Sequence, residues 1–155
     1  MAKSQVQFTK DNEYYTPKEF VNIFWEFDYD PATTIEKAVE FWIHNYDTIY
    51  TDWLSKDWTK YKRIWINPPF TIKHEFIKKA QETYDISKND IYILFPIGFL
   101  TTLRFHNTIK WWKIFIPNWR INFQSWLWKK SKSPAFGSIV MKIQDSWEVE
   151  MIKIK

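Results

Sequence analysis

Asn67-Pro68-Pro69-Phe70 is the stretch of this chain whose residue types and spacing could do chemistry. Two consecutive prolines lack backbone N–H groups, so no strand ladder can continue through them. Each proline also holds the residue before it in extended geometry. The product is a stiff turn with an amide side chain ahead of it and an aromatic ring behind it. Such a turn suits an acceptor NH2 whose lone pair is delocalised, which makes it a poor nucleophile. If the Asn67 side-chain oxygen and the Pro68 carbonyl take its two hydrogens, the nitrogen is drawn toward tetrahedral geometry and can attack an electrophilic methyl. Acceptors fixed beforehand need no reorganisation as positive charge develops on nitrogen. No strong base is required, because the proton becomes acidic only after transfer. Phe70 would stack on the planar group that carries the NH2. On these four residues alone, an ordinary Pro-Pro turn with Phe70 in the core fits equally well, and the neighbouring residues decide.

Ile64-Trp65-Ile66 ahead of the turn reads as the end of a buried strand. In open α/β sheets, ligands bind outside that carboxyl end. Three further segments fit the same edge. Tyr15-Thr16-Pro17 opens a helix, with Pro17 as its first residue and Glu19, Phe20, Ile23 and Phe24 along it. Phe27 to Asp30 alternates like a strand that Pro31 ends, ahead of Ala32. Ile49-Tyr50 reads as a short strand ending at Thr51-Asp52. Between them, Thr33 or Thr34 is placed to cap a helix from Ile35 to about Asn45, with Ala38, Val39 and Trp42 inward. Lys73 to Tyr84 reads as a helix with Phe76, Ile77 and Ala80 on one face, and Ile91 to Phe95 as a buried strand ended by Pro96. Phe99 to Thr108 reads as a short helix and Lys113 to Ile116 as a strand before Pro117. A basic, Trp-rich loop spans about 126–133, and Phe136–Ile143 with Trp147–Ile154 reads as a closing hairpin. The expectation is an α/β fold: a mainly parallel sheet with an antiparallel C-terminal hairpin, in one domain over 1–155 with 1–13 a loose lead-in.

Composition narrows the class. With 155 residues, 45% hydrophobic and 21% aromatic, the chain can bury a core. The 11 Trp exceed what a core needs, and flat amphipathic rings suit stacking on bases. The absence of Cys excludes disulfides, thiol nucleophiles and Cys-based zinc sites, and fits an intracellular protein, in the host cytoplasm if viral. No signal peptide or membrane-spanning run is visible. His44, His74 and His106 lack metal-ligand spacing, so no metal is expected. The net charge is +4, but residues 1–90 carry 12 Lys+Arg against 15 Asp+Glu, while 91–155 carry 10 against 3. No acidic residue falls between Ile91 and Gln144, which favours a polyanionic partner.

The order Tyr15-Thr16-Pro17, Asp30-Pro31-Ala32, Asp52, Asp57-Trp58, Asn67-Pro68-Pro69-Phe70, Pro96, Arg120-Ile121-Asn122-Phe123 and Ser133-Pro134-Ala135-Phe136 resembles the phage-type DNA N6-adenine methyltransferases. The likeness covers roughly Glu13 to Ile143. It implies a Rossmann-like methyltransferase fold that uses S-adenosylmethionine. By this resemblance Tyr15, Thr16 and Pro17 lie at the cofactor's methionine end, Asp30 and Ala32 near its amino acid portion, and Asp52 near its adenine. Asn67, Pro68, Pro69 and Phe70 hold the target base. The chain departs from the pattern at two points. Its two glycines, Gly98 and Gly137, form no Gly-rich loop after the first strand, and position 70 is Phe where Tyr is commoner. About twenty residues separate Asp30 from Asp52, which leaves Glu36 and Glu40 as candidates for the ribose.

Arg104, Arg120, Lys129, Lys130 and Lys132 are candidate phosphate binders rather than base readers. The leading expectation is a monomeric enzyme that methylates adenine N6 in DNA. The same turn also serves cytosine N4, and the missing glycine loop keeps open a degenerate fold that only binds DNA.

Overall fold

The computed structural model describes residues 15–48, 51–69, 71–123 and 136–154. The strand expected at Ile49-Tyr50, together with Phe70, Lys129, Lys130 and Lys132, falls outside these residues.

The architecture is mixed α/β around a seven-stranded sheet. In chain order the strands are β1 (Tyr29–Asp30), β2 (Asn45–Tyr46), β3 (Arg63–Ile66), β4 (Asp90–Pro96), β5 (Trp112–Pro117), β6 (Ser138–Ile143) and β7 (Glu148–Ile152). Across the sheet they run β2-β1-β3-β4-β6-β5-β7. The pairs β1–β2, β1–β3, β3–β4 and β5–β7 are parallel, while β6 runs against both its neighbours. Helices α1 (Lys18–Val21), α2 (Ile35–Glu40), α3 (Lys73–Ser87) and α4 (Leu103–Thr108) join them.

Alternation along the central strands explains why both faces are covered. Side chains of successive strand residues point to opposite faces. Ile64 and Ile66 of β3, with Ile91, Ile93 and Phe95 of β4, pack beneath Phe76, Ile77 and Ala80 of α3. Trp65, Tyr92 and Leu94 point the other way, against Phe20, Val21 and Phe24 of the α1 segment. Each face therefore has its own core, and the central strands read as continuous apolar runs because neither side meets water.

The ends of β1 and β3 are tied together by charge. The Asp28 carboxylate accepts the backbone N–H groups of Lys62 and Arg63, both at 2.9 Å. The Arg63 guanidinium reaches back to the Phe24 carbonyl (2.6 Å), and its Nε donates to the Glu26 carbonyl (2.9 Å). It also pairs with Asp90 at 3.1 Å. Asp28 is thus a structural anchor, and one loop, two strands and α1 meet at its end of the sheet.

Two sequence expectations require correction. The closing hairpin does not form: β5 lies between β6 and β7 and pairs with both. Lys113 on β5 bridges Glu148 (2.6 Å) and Glu150 (2.7 Å) across this pairing, while Ile152 enters the core. Helix α2 also stops at Glu40 rather than near Asn45, leaving Val39 and Trp42 71% and 72% exposed. Trp42 takes φ 59, and the Ile43 N–H reaches the Ala38 carbonyl (2.9 Å) while the Trp42 N–H reaches Val39 (3.2 Å). This is a Schellman closure. It ends the helix so that Ile43 is buried. Thr34 supplies the N-cap, accepting from the Lys37 N–H at 3.2 Å.

Removing the Asp28 carboxylate leaves two backbone donors without their acceptor, at a cost of about 1–3 kcal/mol. Asp28→Ala is therefore expected to lower the urea midpoint at an unchanged m-value. An unaltered midpoint would show that the tie between the strand ends is dispensable.

Candidate functional site

The sheet has a switch point at β1. The connection through α2 leads from β1 to β2 on one side, and the chain then returns to place β3 on the other side. In parallel sheets such a reversal opens a crevice at the carboxyl ends of the strands. Asp30 ends β1, Asp47 follows β2, and Asn67 follows β3. All three stand at this one edge.

Asn67 faces the α1 side because it continues the alternation of β3. Ile64 and Ile66 face α3, Trp65 faces α1, and Asn67 falls on the side of Trp65. Thr16 meets it there, just ahead of α1. The Asn67 amide Nδ2 donates to Thr16 Oγ1 at 3.2 Å, and Thr16 is 2% exposed. Pro17 is the N-cap of α1, one position ahead of the expected first helical residue, and its carbonyl accepts from the Phe20 and Val21 N–H groups. The Tyr15 ring lies under the Lys37 ammonium, 5.6 Å from its centroid, which links this segment to α2. Pro68 is buried and Pro69 half-buried. The Pro69 carbonyl accepts the Ile72 N–H at 3.2 Å, and the turn runs directly into α3. The Tyr-Thr-Pro and Asn-Pro-Pro segments, about fifty residues apart in sequence, are therefore one contact in space.

The turn after β1 is closed by a carboxylate. Asp30 Oδ1 accepts the Ala32 N–H at 2.9 Å, and Asp30 is 2% exposed. No residue of this turn adopts positive φ, so the turn itself makes no demand for glycine. Burial pushes the Asp30 carboxyl up to about 7, against the Ala32 N–H and the Thr33 hydroxyl, which hold it down.

Asp52 lies exposed at the start of a 3-10 turn over Trp53–Ser55, where its carbonyl accepts from Ser55. Glu36 is also exposed and Glu40 half-buried, both on α2. The acidic residue beside Asp30 is instead Asp47, which sequence reasoning passed over. Its N–H donates to the Asp30 carbonyl (2.9 Å), and its carboxylate accepts from the Tyr29 hydroxyl. Burial and then that bond push the Tyr29 hydroxyl far upward. The signal was a repeated dipeptide, since Tyr29-Asp30 and Tyr46-Asp47 each close a strand. Asp57 and Trp58 serve the fold: Asp57 accepts from the Thr59 N–H (2.9 Å) and Trp58 is 1% exposed in the core.

The basic half is only partly available. Lys110 pairs with Asp85, Lys113 with Glu148 and Glu150, and Lys142 with Asp90. Arg104 on α4 is exposed, as are Trp119 and Arg120 beyond β5. Because β4 and β5 run in the same direction, these residues follow the same strand ends as Asn67. His106 is held by the Leu100 carbonyl at 2.7 Å. Among the described residues no three His, Asp or Glu side chains converge to hold a metal, and no helix is long and apolar enough to cross a membrane.

An unfolded Asp30 carboxyl loses its proton near the ordinary 3.8, and the folded one at about 7. Between those values the native state holds the extra proton, so this group's contribution to stability falls as pH rises. Asp30→Asn keeps an acceptor for Ala32 and removes the titration. Its melting temperature relative to the parent is expected to rise between about pH 4 and about pH 7. Parallel melting curves across that range would refute the assignment.

The family model described as DNA N-6-adenine-methyltransferase (Dam) matches residues 3–154. No curated protein shows a significant sequence match.

Proposed function

Because the chain belongs to the DNA N-6-adenine-methyltransferase (Dam) family, and so transfers a methyl group to adenine N6 in DNA, we propose that the crevice between β1 and β3 is where it does so. One observation carries this reading: the hydrogen bond that joins Asn67 to Thr16 at the switch point of the sheet. We take the whole chain as a single domain with a Rossmann-like methyltransferase fold, supported by the parallel β2-β1-β3-β4 core.

The cofactor is S-adenosylmethionine, which when bound supplies an electrophilic methyl on a sulfonium cation. The residues present fit that group. Asp30 and Asp47 are buried carboxylates at adjacent strand ends, suited to a cationic centre and to ribose hydroxyls. Tyr15, Thr16, Pro17 and Ala32 border the same edge and are assigned to the cofactor pocket. Asp52, an exposed carboxylate, keeps its assignment to the adenine end.

The acceptor amine is handled by the turn. The Asn67 side-chain oxygen and the Pro68 carbonyl accept its two hydrogens, so its lone pair is freed for the methyl. Both acceptors are fixed before the reaction, Asn67 by Thr16 and Pro68 by its buried ring. The N–C bond would form as the donor's methyl–sulfur bond breaks, the sulfur keeping that electron pair, so the positive charge passes to nitrogen and an N–H proton becomes acidic. That proton, held by an acceptor oxygen of the turn, is lost to water. Phe70 supplies the stacking surface for the extruded base. Arg104 and Arg120 contact DNA phosphates with Lys129, Lys130 and Lys132, and the exposed Trp119, next to Arg120 in the chain, offers a flat ring for stacking.

Asn67→Ala is expected to reduce methyl transfer by at least about 100-fold, as for other preorganised hydrogen-bonding groups. Cofactor affinity measured by calorimetry should stay near that of the parent. Unchanged turnover would remove Asn67 from the reaction. For DNA, about four of these five residues on phosphates would give a log-log salt slope of about −3 to −4. Charge reversal at Arg104 and Arg120 should flatten that slope and weaken binding to all sequences alike. Lys110→Gln, which loses a cation already paired with Asp85, should leave the slope unaltered. Equal effects from both changes would mean that the DNA surface lies elsewhere.

A further inference from the structure

We propose that Thr16 is a positioning residue for methyl transfer that acts through Asn67, and that its hydroxyl is what holds the amide in register with the acceptor amine. The inference rests on the assignment of Asn67 as an acceptor for that amine.

An amide side chain has two ends of similar shape and opposite polarity. Only the oxygen can take a hydrogen from an acceptor amine, because the NH2 end would present hydrogens to hydrogens. The terminal torsion of Asn is also soft, with broad rather than sharp preferences. A catalytic Asn therefore needs something outside itself to hold its plane. In this fold Nδ2 is turned toward α1 and donates to Thr16 Oγ1 at 3.2 Å. That donation sets the plane of the amide, with the oxygen on the arm opposite the nitrogen.

Both ends of this bond are anchored in one core. On the strand side, Trp65 lies two residues before Asn67 and is fully buried. On the helix side, Phe20, Val21 and Phe24 follow Thr16 and are also buried. The Phe24 and Trp65 rings stack with centroids 6.0 Å apart, and Phe20 packs edge-on against Phe24 at 5.7 Å. The Asn67–Thr16 bond thus spans two backbones that the aromatic layer already holds together. Thr16 is itself 2% exposed, so water does not compete for the bond. The burial of a hydroxyl at this position is accounted for by its bond to Asn67.

A role in the cofactor pocket alone predicts something different from a role through Asn67. If Thr16 only bound the cofactor, removing its hydroxyl would weaken cofactor affinity and leave the rate at saturation intact. A role through Asn67 lowers the rate at saturation, and the loss vanishes once Asn67 itself is gone.

The test is a double-mutant cycle read by single-turnover methylation of an adenine-containing duplex, with cofactor and enzyme saturating. Thr16→Val removes the hydroxyl at nearly constant shape. It is expected to slow the single-turnover rate about 10- to 100-fold, the scale of a small misplacement of a reacting group. Thr16→Ser should restore the rate. In an Asn67→Ala background, Thr16→Val should have no further effect, because residues that act as a unit are not additive. Thr16→Ala gives the same reading should Val not be accommodated in the fold, as judged by thermal melting. A parental rate in Thr16→Val at saturating cofactor, or a Thr16 effect that persists in full without Asn67, would overturn the proposal. If Asn67→Ala itself turns over normally, the assignment of the acceptor turn fails instead, and the two failures are told apart by that single variant.

Discussion

The alternation of side chains along β3 is the constraint on which the rest depends. From Ile64 to Ile66 this strand is buried on both faces, so each of these residues is committed to one core or the other. Ile64 and Ile66 belong to the α3 side and Trp65 to the α1 side. A shift of one residue would invert the set and drive an indole into the space built for isoleucine. With that register fixed, Asn67 can only emerge on the α1 side, where Thr16 stands. The prolines that follow stop the ladder, so the strand ends at the crevice rather than beside it.

Electrostatics reinforces the same geometry at both ends of the sheet. At the amino ends, Asp28 and Arg63 bind β3 to the loop ahead of β1 through backbone groups. These are charge-assisted bonds to main-chain atoms, so they fix the path of the chain more than the position of a side chain. At the carboxyl ends, buried carboxylates gather instead. Asp30 closes its own turn and Asp47 crosses to the Asp30 backbone. Two acidic side chains are thus kept from water at one edge, and the exposed Arg104 and Arg120 stand beyond β4 and β5.

The sequence by itself determined the pieces that depend on local rules. The Pro-Pro end of β3, the buried run from Ile91 to Phe95, helix α3 with Phe76, Ile77 and Ala80 inward, and a cap at Thr33 or Thr34, which the structure resolves to Thr34, follow from periodicity and backbone chemistry. The structure carries all of them. The family resemblance read from the Tyr-Thr-Pro and Asn-Pro-Pro-Phe segments agrees with the family match. Tertiary structure alone decided which segments meet. The partner of β7 is β5 and not β6, a pairing made of a parallel ladder, the burial of Ile152 and the Lys113 bridges to Glu148 and Glu150, none of which a short-range pattern connects. Helix α2 stops about five residues early, at a Schellman closure that buries Ile43. Lys110, Lys113 and Lys142 of the apparently basic half are spent on Asp85, Asp90 and the β7 glutamates, since charge counted along a chain says nothing of distance in space. Asp47 joins Asp30, and Thr16 reaches Asn67, for the same reason. These contacts are made between strand ends whose adjacency is set by the order of the sheet, and that order is a property of the whole packed chain.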